Sequence, residues 1–253
     1  KSIKEIKNDN NISDKCGESW EISGVLDNLS VVENGFLKDN NIQELCEIYM
    51  GELVGEKVFA KFGIEFPILF KIIDAEEDLS IQVHPDNDFA KENHNAYGKY
   101  EAWYVLQAGE QGKILNGFSK DISFDEFDKL IDDKQITSVI NHYNAKPGDV
   151  HEIPPGRIHA LGKSCIIAEI QQTSDITYRV YDYDRDDNRE LHIDLAKNVL
   201  DFNKTEKPII KFERKPDTHN QIISNEYFTL NMIPLMNMIN RDLHKKESFV
   251  IYY

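Results

Sequence analysis

From residue 148 to 181 the chain reads as one short strand after another, at 149–153, 157–160, 165–170 and 176–181. Similar runs stand at 67–74, 79–84, 101–106 and 113–116, and the β pattern returns in 209–212, 227–232 and 248–253. Apolar runs of this length, bounded by Gly, Pro and Asp, predict a mainly β fold. Helical spacing is confined to a few places. Ile42 to Met50 puts Leu45, Ile48 and Tyr49 on one side, and Asp86 is placed to cap a short helix before Asn95. Ser123 and Glu126 form a capping-box pattern that opens a helical insertion over about 123–143. Leu191, Leu195 and Val199 share a face of a short helix at 191–200. Residues 1–15 are polar and read as weakly ordered, and Trp20 as the buried residue of a first strand.

At 253 residues the chain can form one large β domain or two smaller ones, either with a substantial core. The reading adopted is a domain over 1–205 containing the helical insertion, followed by 206–253 as the start of a second β domain. Because the last apolar run stops in mid-strand, that second domain is expected to be incomplete. No stretch approaches the roughly 18 apolar residues of a membrane span, and the start carries no signal-like segment. Three widely spaced cysteines, Cys16, Cys46 and Cys165, argue against a disulfide framework and for a reducing cytoplasm. The net charge of −16 excludes nonspecific nucleic-acid binding. It also sets a condition: an anionic small substrate needs a local group of Lys or Arg to overcome the global sign.

Three segments concentrate the chemistry. Gln82 and His84 alternate along one strand and therefore point the same way. Glu101 opens another strand, and His159 follows the turn at Pro154, Pro155 and Gly156. An amide, two imidazoles and a carboxylate form a mixed N/O set suited to a divalent metal such as zinc. A lone histidine is ordinarily a half-buried structural residue, but four positions in a spaced pattern point to a metal. His94, His142, His192, His219 and His244 sit in polar or helical contexts and read as surface residues, and His151 as core lining or pocket wall.

The spacing Gly148, five residues, Pro154-x-Gly156, two residues, His159 resembles the second signature of the cupin superfamily. Gln82-x-His84 with Glu101 resembles the first, with Gln replacing the usual first His. Longer blocks, Leu79-Ser-Ile-Gln-Val-His-Pro-Asp86, Gly98-Lys-Tyr-Glu101, Ile153-Pro-Pro-Gly-Arg-Ile-His159 and 168–182, resemble the short bacterial type I mannose-6-phosphate isomerases. The resemblance implies a cupin (jelly-roll) barrel and one zinc ion per chain. It further implies interconversion of mannose 6-phosphate and fructose 6-phosphate through a cis-enediol.

Carried over by position, the resemblance makes Gln82, His84, Glu101 and His159 the zinc ligands. It makes Arg179 the active-site arginine and Lys99 the group that takes part in proton transfer. Lys71 and Ser80 match positions thought to hold the substrate phosphate. The residues alone leave alternatives: a structural carboxylate partner for Lys71, and a salt bridge to Asp182 or Asp184 for Arg179. Two other functions stand beside this one, a cupin isomerase for another hexose 6-phosphate and a non-catalytic sugar-phosphate-binding cupin.

Overall fold

The computed structural model describes residues 2–185, 189–243 and 246–253. In chain order the elements are α1 (Ile3–Lys7), β1 (Glu18–Ser23), α2 (Ile42–Tyr49), α3 (Gly51–Val54), α4 (Glu56–Phe62), β2 (Ile68–Ala75) and β3 (Ile81–Val83). Then follow α5 (Asn87–His94), β4 (Glu101–Ala108), β5 (Lys113–Phe118), α6 (Phe124–Asp132), β6 (Ile140–Asn144), β7 (Val150–Ile153) and β8 (His159–Leu161). The last are β9 (Cys165–Gln172), β10 (Tyr178–Tyr181), α7 (Ile193–Val199), β11 (Asn220–Ser224) and β12 (Thr229–Met232).

The chain divides into two compact units, 1–19 with 71–210 and 20–70 with 211–253. It crosses between them within β1, within β2 and after Ile210. This differs from the expected domains 1–205 and 206–253: residues 20–70 fall with the C-terminal segment, and the last crossing follows Ile210. The first unit is built on two sheets, in the orders β1-β2-β9-β4-β7 and β10-β3-β8-β5-β6. β4 is antiparallel to β7 and β9, and β8 is antiparallel to β3 and β5.

Alternation along these strands sorts side chains into two layers. Ile81, Val83, Leu115, Ala160, Tyr178 and Val180 face outward from the second sheet, where Phe127 of α6 and Ala196 of α7 complete a core. Opposite faces carry Ile114 and Leu161, which meet Ile73, Trp103, Val105 and Ile167 of the first sheet. That inner space is apolar towards one end. Its other end collects the polar residues described below.

In the second unit, α2 is capped by Asn41, whose Oδ1 accepts from Glu44 N at 2.9 Å, and buries Leu45 and Cys46. β11 and β12 form an antiparallel hairpin.

Five local expectations are corrected. α1 forms within the polar start because Ile3 is fully buried and Ser2 N donates to Glu5 Oε2 at 3.3 Å. The helical insertion ends at Asp132, and 140–144 is β6, paired with β5. Leu191 is exposed, so Ile193 takes its place in the apolar face of α7. The run 248–253 joins no ladder; Phe249 N donates to Val54 O, and its ring meets Phe66. Trp20 is half-buried rather than buried.

Candidate metal centre

The centre is assembled by register. Gln82 of β3 lies directly opposite His159 of β8, which lies opposite Asn116 of β5; Arg179 of β10 lies opposite Gln82 on the far side. Residues directly opposite share a face of the sheet, so Arg179, Gln82, His159 and Asn116 form one row facing the first sheet. Glu101 comes from that first sheet, where β4 begins, and His84 from just past the end of β3. Glu101 Oε1 stands 3.1 Å from His159 Nε2, and Oε2 stands 3.5 Å from His84 Nε2. All three side chains are buried, with ligand atoms within 4.8 Å of one another.

The ring orientations decide what these atoms can do. His84 Nδ1 lies 2.9 Å from Ile176 O, and His159 Nδ1 lies 2.8 Å from Arg157 O. A carbonyl only accepts, so each Nδ1 carries the proton and each Nε2 of a neutral ring presents a lone pair. Burial, helped by the nearby Lys99 ammonium, pushes His84 down to about 3, which keeps it neutral. Burial alone would raise Glu101, but Lys99 and the two imidazoles hold its carboxyl well below the usual range. Two lone pairs and a carboxylate therefore converge, and His84 Nε2 and both Glu101 oxygens have no hydrogen-bond partner among the described residues. Acceptors buried against acceptors are costly unless a cation lies between them. Lys99, itself buried, places Nζ 3.4 Å from Glu101 Oε2 and supplies one positive charge at the edge.

The other predicted residues divide. Gln82 Nε2 is 3.3 Å from His159 Nε2, so in this orientation the amide offers its donor rather than its oxygen. Turned by half a rotation about its last bond, it would add a fourth acceptor. Arg179 forms neither of the salt bridges considered for it. Asp182 takes Arg185 and Arg189, Asp184 takes Lys134, and Arg179 Nη1 donates to Glu190 O at 2.9 Å. Lys71 has the carboxylate alternative: Nζ is 3.0 Å from Glu169 Oε1 and 3.4 Å from Glu18 Oε2. Burial works against its charge, but those carboxylates outweigh it and raise the ammonium above its ordinary value. Ser80 is buried, with Oγ 3.5 Å from Gln82 Oε1.

His151 is fully buried, opposite Trp103 on β4, and both ring nitrogens lack partners among the described residues. His94, His142 and His219 are exposed; His192 is half-buried and accepts from Arg179 N at 3.2 Å. His244 lies outside the described residues.

Sequence reasoning passed over three contributors. Glu169 accepts from Trp103 Nε1 at 2.6 Å, and the Trp103 ring meets His159 edge-on. Gln171 lies opposite Glu101, fully buried, with its nitrogen held by Gln172 O and Ser174 O. Arg157 reaches Asn116 Oδ1 at 3.3 Å. The available signal for Glu169 was a charge inside the apolar run 165–170.

Residues 4–104 match the family description "Phosphomannose isomerase type I, catalytic domain". A putative mannose-6-phosphate isomerase, YvyI, of Bacillus subtilis (strain 168) is 35% identical over 246 residues, taking in 94% of this chain and 75% of that protein. The chain belongs to the type I phosphomannose isomerase family. The crystal structure of the mannose 6-phosphate isomerase from Bacillus subtilis has the same mainly β fold, with a TM-score of 0.77 and 34% identity over 89% of this chain and 73% of that one. A zinc-bound mannose 6-phosphate isomerase, 16% identical, shares the fold at a TM-score of 0.68 over 87% of this chain and 76% of that one. The chain spans 60% of the length of the first curated mannose-6-phosphate isomerases it matches. Among the described residues no helix is long and apolar enough to cross a membrane.

Proposed function

We propose that this chain is a zinc-dependent aldose–ketose isomerase that interconverts mannose 6-phosphate and fructose 6-phosphate. The observation that carries the reading is the convergence of His84 Nε2, His159 Nε2 and Glu101 on one buried point without a hydrogen-bond donor between the imidazoles and the carboxylate. Two imidazole nitrogens and a carboxylate are the donor set zinc favours, with Gln82 as a fourth ligand once its amide is turned. Bound there, the ion would supply Lewis-acid stabilisation of negative charge on the sugar's C1 and C2 oxygens.

The chain's own residues account for the rest. Arg179, opposite Gln82 and unpaired with the carboxylates of Asp182 and Asp184, adds fixed positive charge where the enediolate oxygens develop. Lys99 Nζ, buried beside Glu101, is the group placed to carry the proton between C2 and C1 through a cis-enediol. Trp103, held by Glu169, fixes the His159 ring and excludes water from that side. Lys71, which the resemblance places at the substrate phosphate with Ser80, is already paired with Glu169 and Glu18.

The test is a coupled assay for fructose 6-phosphate from mannose 6-phosphate, run as purified, after chelation and after zinc is restored. Loss on chelation and recovery with zinc support reaction and metal together. Zinc bound tightly with no turnover would remove the isomerase reading and favour a binding cupin.

A further inference from the structure

β10, which carries Arg179, is a four-residue strand at the edge of its sheet, and its ladder partner β3 has three residues. The pairing slips between Arg179 and Tyr181. So short and irregular a ladder constrains the arginine weakly. The main-chain groups of Arg179 are instead taken by one residue outside the ladder, His192. Arg179 N donates to His192 Nδ1 at 3.2 Å, and His192 N donates to Arg179 O at 2.7 Å. A paired strand would accept with its own carbonyl. His192 O is already committed, because it accepts from Ala196 N at 2.8 Å where α7 begins. The imidazole nitrogen stands in for that carbonyl.

A residue at this position of a helix ordinarily turns its side chain back onto the first turn. That of His192 makes no such bond to α7. A ring nitrogen that accepts from an amide carries no proton, so the hydrogen of this imidazole sits on Nε2. Tyr178 is buried beside it, with ring centroids 6.2 Å apart. The same segment also reaches the head group: Arg179 Nη1 donates to Glu190 O at 2.9 Å. Arg179 Nε is buried and has no hydrogen-bond partner among the described residues. A long side chain loses rotamer freedom when it is ordered. Held at its main chain and at one terminal nitrogen, Arg179 is ordered before a ligand arrives, with a buried donor still to be used.

We infer that His192 is a positioning residue of the reaction: its imidazole, together with Glu190 O, clasps Arg179 and holds the guanidinium ready for the charge that develops on the substrate. The inference rests on the isomerase reading, in which Arg179 is the charge stabiliser, and adds a residue that acts through it. Fixed donors stabilise a transition state because they need no reorientation as the charge appears. A loosened Arg179 therefore costs turnover, while affinity for substrate and zinc stays.

The test uses the zinc-loaded full chain with mannose 6-phosphate, comparing wild type, His192→Phe, Arg179→Ala and the double variant. His192→Phe keeps a ring beside Tyr178 and removes the acceptor. It is expected to lower kcat by about 10-fold, the equivalent of one hydrogen bond, with KM and zinc content unchanged. In the Arg179→Ala background the same substitution should change kcat by no more than about twofold, because nothing is left to position. Amide hydrogen exchange reads the clasp without turnover. The Arg179 N–H should be protected in the wild type and exchange at least about 10-fold faster in His192→Phe. An unprotected Arg179 amide in the wild type, or equal losses of kcat with and without Arg179, would overturn the proposal. The two readings fail separately. No turnover by the wild type removes the isomerase and leaves exchange to decide the clasp, whereas turnover lost in Arg179→Ala but untouched by His192→Phe keeps the isomerase and removes the positioning role.

Discussion

Glu101 Oε1 and His159 Nε2 face each other at 3.1 Å as two acceptors, because Arg157 O holds the ring proton on Nδ1. Their approach is favourable only with a cation between them. Glu101→Gln keeps the size and shape of the side chain and removes the charge. It is expected to lower zinc affinity by more than about 100-fold, exceeding the usual effect of groups that merely support a ligand. Metal content after dialysis against a graded chelator checks this, and full retention of zinc would exclude Glu101 as a ligand.

Arg179 should separate binding of the metal from turnover. Its guanidinium is tied to Glu190 O rather than to the centre, so Arg179→Ala is expected to retain zinc. Turnover should fall by about 100- to 1,000-fold, the range for losing one preorganised charge stabiliser. Steady-state kinetics with parallel metal analysis would show it; zinc lost together with activity would reassign the arginine to structure.

Lys71 and Glu169 are expected to behave as a structural pair. Lys71→Met strands a carboxylate that is 3% exposed and should cost about 3–5 kcal/mol. Adding Glu169→Gln removes the stranded charge while leaving an oxygen for Trp103 Nε1, so the double variant should regain part of that loss. Urea unfolding of the wild type, both single variants and the double variant measures the coupling. Additive losses would break the pairing.

His151 makes stability depend on pH. Burial pushes it from the ordinary value of 6.5 down to about 4. Between those values the unfolded chain holds a proton that the folded chain does not, so stability falls as pH drops through this window and is at its full value above it. The separation corresponds to about 3 kcal/mol. His151→Phe should flatten the dependence of the urea midpoint between pH 7 and pH 4, by comparison with wild type. Parallel curves for the two proteins would place the acid sensitivity elsewhere.

Strand placement was largely legible because apolar runs bounded by turn residues have few alternatives. The exceptions had physical causes. Residues 140–144 look helical after the Ser123 cap, yet their edge pairs with β5. Residues 1–15 read as a polar, weakly ordered start, and the burial of Ile3 is what anchors α1 there.

The sequence by itself determined the family, the mainly β fold and the residue types that meet at the centre. Those depend on local spacing: two side chains on one face of β3, and a histidine at a set distance beyond a Pro-Pro-Gly turn. Only the tertiary structure decided the partners. It gave Lys71 to Glu169 and Glu18, left Arg179 without an ion pair to a carboxylate among the described residues, and turned both imidazoles so that their lone pairs face Glu101. Which charge neutralises which depends on register between strands far apart in the chain, and neighbouring residues in sequence carry no record of that register.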